Sequence, residues 1–206
     1  MSGQSQSATL ERSVGVRDHL QGPQTALVTL VEYGDYECSQ CGQAHVFVHE
    51  ARQRFGDRLR FVFRHFVMTG VHAHAQHAAE AAEAAGGQGR FWEMHDTLFT
   101  HQEALDNGFL VEYADALGLD VNRFLRDMAG HVHVDRVRED LQSGMHSGVA
   151  RTPTFFLNGV RCGPEWDAKA LLETIAEAVA SREADAVPPS AVKRDVLSRR
   201  LARSRG

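Results

Sequence analysis

Residues 27–41 read LVTLVEYGDYECSQC, an apolar run that ends in a Cys-x-x-Cys pair, Cys38 and Cys41. Leu27 to Tyr33 has the length and apolar density of a buried strand. The segment opened by the cysteines places Ala44, Val48, Ala51 and Phe55 on one face at helical spacing. The pair therefore stands at a strand-to-helix junction. There the free N–H groups and the dipole of the first helical turn favour an anion on the first sulfur. Thiols so placed have pKa values of about 3.5–7.5, against about 8.5 for free cysteine, so much of the sulfur is thiolate near neutral pH. Cys41 follows one helical turn later, within reach of a disulfide to Cys38. That geometry suits reversible thiol–disulfide exchange. Half of a zinc site is the rival use of such a pair. It would need a second Cys or His pair at metal spacing, and the remaining cysteine, Cys162, has no close Cys or His partner.

The chain has 206 residues, enough for one large domain or for a core domain with an insertion. A net charge of −5 argues against general nucleic-acid binding by the body of the chain. The first twenty residues show no basic region followed by an apolar stretch, so no secretory signal is read there. No apolar run approaches the roughly 20 residues that cross a bilayer. The expected location is the cytoplasm, where Cys38 and Cys41 read as catalytic and not as part of a structural disulfide framework.

Outward from the motif, residues 1–24 are polar and without clear period, and read as a flexible lead. Glu32 is the one carboxyl in an otherwise buried run, six residues before Cys38. Burial would raise its pKa and let it exchange protons with a nearby thiol. Gly56-Asp57 ends the first helix, and Leu59, Phe61 and Phe63 alternate with Arg60, Val62 and Arg64 as a second strand, parallel to the first. Residues 72–148 then read as five helices: His74 to Ala85, one around Phe91 to Phe99, and three with buried stripes. The stripes are Leu110, Tyr113, Ala114 and Leu117; Phe124, Leu125 and Met128; and Val134, Val137, Leu141 and Met145. Asp106 and Asp120 are placed to cap two of them.

His72, His74 and His77 in this block invite a metal reading. His74 and His77 share a face, but no acidic or cysteine ligand completes a set, and they read as exposed or capping residues. Strand character returns at Thr152 to Leu157, and Asn158-Gly159 predicts a hairpin back through Val160 to Cys162. Pro153, which has no N–H to donate, belongs at an edge or beside a site. Cys162 reads as a small buried hydrophobe. Asp167 would cap a last helix from Ala168 to about Ala180, and the end, KRDVLSRRLARSRG, carries six Lys/Arg against one Asp. Such a tail is solvated and partly disordered, or an arm for an acidic partner or nucleic acid.

The stretches VEYGDYECSQCGQAH, LRFVFRHF, FWEMHDTLF and GVARTPTFFLNGV, in this order, resemble the DsbA-like branch of the thioredoxin superfamily, in bacterial single-domain proteins and in a domain fused to some sodium/proton antiporters. The resemblance runs from about Asp18 to Ala180. It implies an α/β, thioredoxin-like fold with a helical insertion: a core of residues 25–71 and 149–182, the insert 72–148, and a basic tail 183–206. It further implies that Cys38 is the nucleophile, Cys41 the resolving thiol and Glu32 the buried acid behind them. Thr152-Pro153 would be the loop whose proline is cis in the superfamily and whose backbone pairs with a substrate peptide. Ser39 and Gln40 fall at the substrate-facing dipeptide. This pair replaces the proline with an aromatic residue or histidine common in the family, and Gln40 can donate a hydrogen bond to the thiolate but adds no positive charge.

The implied activity is protein thiol–disulfide exchange with protein or peptide substrates and an unidentified redox partner, using no cofactor or metal beyond the Cys38–Cys41 disulfide itself. A Cys/His metal-binding module, or a redox-sensing adaptor acting through its basic tail, is the alternative. The glutathione-dependent kappa-type branch shares the inserted-helix layout but does not depend on a second cysteine such as Cys41.

Overall fold

The structure is a computed structural model that describes residues 8–163 and 165–186. Residues 1–7 of the expected lead and 187–206 of the expected tail lie outside the described residues. The elements in chain order are β1 (His19–Gln21), β2 (Val28–Gly34), α1 (Ser39–Phe55), β3 (Leu59–His65), α2 (Ala75–Gly86), α3 (Phe91–Thr100), α4 (Asn107–Ala116), α5 (Val121–Ala129), α6 (Val134–His146), β4 (Thr154–Leu157), β5 (Val160–Arg161) and α7 (Ala168–Ala186). They build a five-stranded sheet in the order β1-β3-β2-β4-β5. The β2–β3 pair is parallel, with α1 as its crossover, and the β1–β3, β2–β4 and β4–β5 pairs are antiparallel.

β2 lies at the centre, which is why it is apolar on both faces. On one face, Leu30, Phe61, Phe63 and Phe155 pack against Ala44 and Val48 of α1 and against Leu171 and Ile175 of α7. The opposite face presents Val31, Tyr33, Val62 and Phe156. The hairpin after β4 turns at Asn158 (φ 51°) and Gly159 (φ 83°), the two left-handed positions of the tight turn that Asn-Gly favours.

Helices α2–α6 occupy residues 75–146. Alanine makes α2 their centre: Ala78, Ala79, Ala81, Ala82, Ala84 and Ala85 are all buried, and small side chains let the surrounding helices approach closely. Asp106 and Asp120 do cap α4 and α5, accepting hydrogen bonds from Gly108 N and Arg123 N. Of the predicted stripe residues, Leu125 and Met145 face out, and Tyr113, Leu117, Met128, Val134 and Leu141 are half-buried. On α6 the buried face is instead Val137, Asp140, Ser143 and Gly144, because it packs over a polar patch of the sheet.

The lead departs from expectation. Residues 8–24 are not loose: β1 adds an antiparallel strand to β3, and Ala8 and Leu10 hydrogen-bond the β4–β5 hairpin. Leu10, Val14 and Leu20 cover the second sheet face. A buried charge explains the rest. Arg64, read as the polar side of β3, is 0% exposed. Its guanidinium donates to Asp18 Oδ1 at 2.8 Å and Oδ2 at 3.1 Å, to the Arg12 and Ser13 carbonyls and to the Tyr33 hydroxyl. A buried arginine needs such partners, and the lead supplies most of them. At the other end α7 continues to Ala186, so residues 183–186 are helical and not part of a tail. Among the described residues no helix is long and apolar enough to cross a membrane.

Candidate active site

Cys38 is the N-cap of α1, in extended conformation, and Ser39 and Gln40 form the exposed first turn. No side chain caps this helix and no acidic residue stands in its first turn. The free N–H groups are therefore available to the sulfur. Cys38 is lowered from 9.0 to about 5, first by a hydrogen bond from the Cys41 thiol, against a desolvation cost, then by the Thr152 side chain and the backbone N–H groups of Cys41 and Gln40. Gln40 thus acts on the sulfur through its backbone, not through the side-chain amide that the sequence suggested. Cys41 is fully buried. Burial, followed by the hydrogen bond it gives Cys38 and the charge of Glu32, pushes its thiol well above 9.0. Both cysteines are free thiols.

Thr152 and Pro153 approach from the start of β4. The Thr152–Pro153 peptide is cis, and the Thr152 carbonyl oxygen lies 3.5 Å from Cys38 Sγ. Beneath, on central strand β2, Glu32 is 1% exposed and its Oε1 has no hydrogen-bond partner. Burial first, and the Cys38 charge second, raise it from 4.5 to about 8. The sequence-predicted residues Cys38, Cys41, Glu32, Ser39, Gln40, Thr152 and Pro153 therefore gather at one end of β2 and β4.

Sequence reasoning missed three supports. Asp35, buried in the loop between β2 and α1, accepts from Glu37 N at 2.9 Å, Met68 N at 2.8 Å and His72 Nδ1 at 2.9 Å. Partial burial would lower His72, but Asp35 outweighs it, and with the Cys38 charge raises it above 6.5. Gln102, just past α3, reaches across from the insert and donates through Nε2 to the Tyr36 carbonyl at 2.7 Å and the Cys38 carbonyl at 2.9 Å. Gly42 makes room for it, since a Cβ there would run into Gln102 Oε1. The Tyr36 hydroxyl shares a hydrogen bond of 3.0 Å with buried His95. Asp35 lies close enough in sequence to have been noticed. Gln102 carries no local signal at all.

The three histidines considered as ligands do not converge. His72 pairs with Asp35, His74 with Glu37, and His77 with the Asn107 side chain. Two groups of converging His and carboxylate atoms exist among the described residues, and neither contains Cys38 or Cys41. Cys162, expected to be buried, is half-buried, and desolvation lifts its thiol to about 11.

Residues 15–177 match the Thioredoxin_4 family, described as Thioredoxin. Among curated proteins, the Na(+)/H(+) antiporter NhaA 1 of Salinispora arenicola is 48% identical over 164 residues, 80% of this chain and 25% of that protein. The antiporter NhaA of Herminiimonas arsenicoxydans is 45% identical over 152 residues, 74% of this chain and 24% of its own length. The chain thus spans about a quarter of the length of these relatives. Among solved structures, oxidised BdbD from Bacillus subtilis superposes with a TM-score of 0.74 at 23% identity, covering 84% of this chain and 98% of that one. For alpha-DsbA1 from Wolbachia pipientis the values are 0.71, 18%, 82% and 94%. The likeness to these two structures is one of fold, a thioredoxin-like sheet with a helical insertion; by the family matched over residues 15–177, the chain belongs to the thioredoxin family.

Proposed function

We propose that the protein is a thiol–disulfide oxidoreductase that exchanges disulfides with protein or peptide substrates through Cys38 and Cys41. The observation that carries this reading is the placement of two thiols: Cys38 caps α1 beside the cis Thr152–Pro153 peptide and Cys41 is buried one turn on, surroundings that hold Cys38 at about 5 and drive Cys41 well above 9.0. At pH 7 the first is a thiolate by about 100 to 1, and the second keeps its proton.

The Cys38 thiolate attacks a substrate disulfide, forms a mixed disulfide, and expels one substrate thiolate. Cys41 then gives up its proton and attacks Cys38 Sγ. The Cys38–Cys41 bond forms, the mixed disulfide breaks, and the second substrate sulfur leaves reduced. Glu32 takes the Cys41 proton. While Cys38 is in the mixed disulfide its charge is gone, and one of the two causes that raise Glu32 disappears with it. The carboxyl then ionises more readily at the step that needs a base. No bound cofactor enters; the electrons come from the two thiols. In this reading the backbone at Thr152, whose carbonyl lies 3.5 Å from the sulfur, holds an extended substrate peptide beside it.

Reversal of these steps oxidises a substrate. A Cys38 value of about 5 falls between about 7 for thioredoxin and about 3.5 for DsbA. The expected reduction potential accordingly lies between their values of about −270 and −120 mV. The lower half of that range suits a reductase in the cytoplasm, the upper half an oxidant outside it.

The test is a trapping experiment with a disulfide-bonded peptide. Cys41→Ser should accumulate a covalent mixed disulfide, Cys38→Ser should form none, and the wild type should turn over in the presence of dithiol. Turnover by Cys38→Ser, or absence of a Cys38–Cys41 disulfide at every glutathione ratio, would refute the assignment.

A further inference from the structure

Away from the thiols, three side chains with metal-ligating atoms converge on the seam between α1 and α3. His45 and His49 are four residues apart on α1, so both project from one face of that helix. Asp96 stands opposite on α3. His45 Nε2 is 3.6 Å and His49 Nε2 3.4 Å from the same atom, Asp96 Oδ1. The three ligand atoms all lie within 4.8 Å of one another. As hydrogen bonds these contacts are poor, since good ones run at about 2.7–3.2 Å. As edges of a coordination tetrahedron they are close to ideal: zinc bonds of about 2.0–2.1 Å place neighbouring ligand atoms about 3.3 Å apart.

The surroundings favour ligation. The His45 ring stacks on Phe99 with centroids 5.0 Å apart, which fixes its direction. Its side chain is 13% exposed, against 43% for His49 and 44% for Asp96, so the cluster is anchored within and open to solvent outside. Arg52, one turn beyond His49, feels the Asp96 charge but makes no ion pair with it among the described contacts. The other converging group, His65, Glu83 and Asp140, differs on this point. Arg12 and Arg136 already compensate Asp140, and Glu83 accepts hydrogen bonds from both His19 and His65.

We propose that His45, His49 and Asp96 bind a divalent transition-metal ion of the zinc type, with water completing the tetrahedron. Two imidazoles and one carboxylate form a recognised zinc donor set. Bound there, the ion ties the helix that begins at Cys38 to the helix from which Gln102 reaches the active-site loop. It is a clasp between core and insert, independent of the thiol chemistry.

The test uses the full chain with Cys38→Ser, Cys41→Ser and Cys162→Ser, so that the thiols contribute no ligand. After treatment with chelator, zinc chloride is titrated by calorimetry, and cobalt(II) is added separately to read the geometry by visible absorption. One equivalent of zinc should bind, the cobalt spectrum should be that of a tetrahedral site, and the melting temperature should rise with zinc. His49→Ala and Asp96→Asn, both at solvent-exposed side chains, should each weaken binding by about 100-fold or more, since even second-shell losses cost about 10–100-fold. Circular dichroism checks that these variants are folded. Absence of zinc binding in the parent, or affinity unchanged in both ligand variants, would overturn the proposal.

Discussion

Glu32→Gln keeps the size of the side chain and removes its titration. In the folded protein the carboxyl is 1% exposed and raised to about 8, by burial first and by the Cys38 charge second; its ordinary value is 4.5. The folded state therefore holds this proton more tightly than the unfolded state does. Stability owed to this group is complete below about 4.5, drains away as the pH rises, and is gone above about 8. At about 1.36 kcal/mol for each tenfold difference in proton affinity, the loss between pH 5 and pH 9 amounts to about 4 kcal/mol. The assay is urea unfolding of the reduced wild type and Glu32→Gln at whole pH values across that window. Cys38, whose folded value is lowered, pulls stability the other way, but it does so in both proteins. The difference between the two curves therefore reports Glu32 together with its coupling to the two thiols. The variant should gain on the wild type by about 4 kcal/mol from the acid to the alkaline end. Its release of substrate from the mixed disulfide should also slow, general bases being worth about 10²–10⁴-fold. Parallel stability curves would refute the raised value and with it the proton relay from Cys41.

Three further tests address the surrounding structure. Thiolate absorbance of Cys38 should titrate with a midpoint of about 5; His72→Ala removes a cation that feels the Cys38 charge and should move the midpoint up, while a wild-type midpoint near 9.0 would contradict the helix-terminus account. Gly42→Ala drives a methyl group into Gln102 and should break the bonds to the Tyr36 and Cys38 carbonyls, at about 1–3 kcal/mol in chemical denaturation. Gln102→Ala should cost about as much, and the double variant little more than either alone; additive losses would show that the two residues do not share one clasp. Asp18→Asn leaves the Arg64 charge buried without its carboxylate and should cost about 3–5 kcal/mol. Asp18 is itself partly desolvated, yet Arg64 and Gly15 hold it below 3.8, so in the wild type its contribution is present above that value and lost as the pH falls through the lower folded one. A loss under about 1 kcal/mol would show that the Asp18–Arg64 pair is not what the lead contributes to stability.

What could be read from the chain alone was the chemistry that neighbours in sequence create. Cys38, Cys41 and the first turn of α1 are consecutive, so the neighbours that lower the first thiol, the Cys41 thiol first and the helix-terminal N–H groups after it, were visible in the Cys-x-x-Cys spacing and in the period of Ala44, Val48, Ala51 and Phe55. Glu32 was visible as a carboxyl inside an apolar strand. Period alone failed wherever a polar residue was buried by a distant partner. Arg64 alternates with Phe63 as any half-exposed strand would, and nothing near it announces that Asp18 and the Arg12 and Ser13 carbonyls enclose it. The lead was misjudged for the same reason: its worth lies in that buried charge and in covering a sheet face, and neither leaves a periodic trace. Gln102 makes the point at the active site. It holds the carbonyls of Tyr36 and Cys38 from more than sixty residues away, in a segment that looks like any polar helix end. The reactivity of the thiols is thus written locally. The hold on the carbonyls that flank the first thiol comes from the insert, and it shows only once the chain has folded.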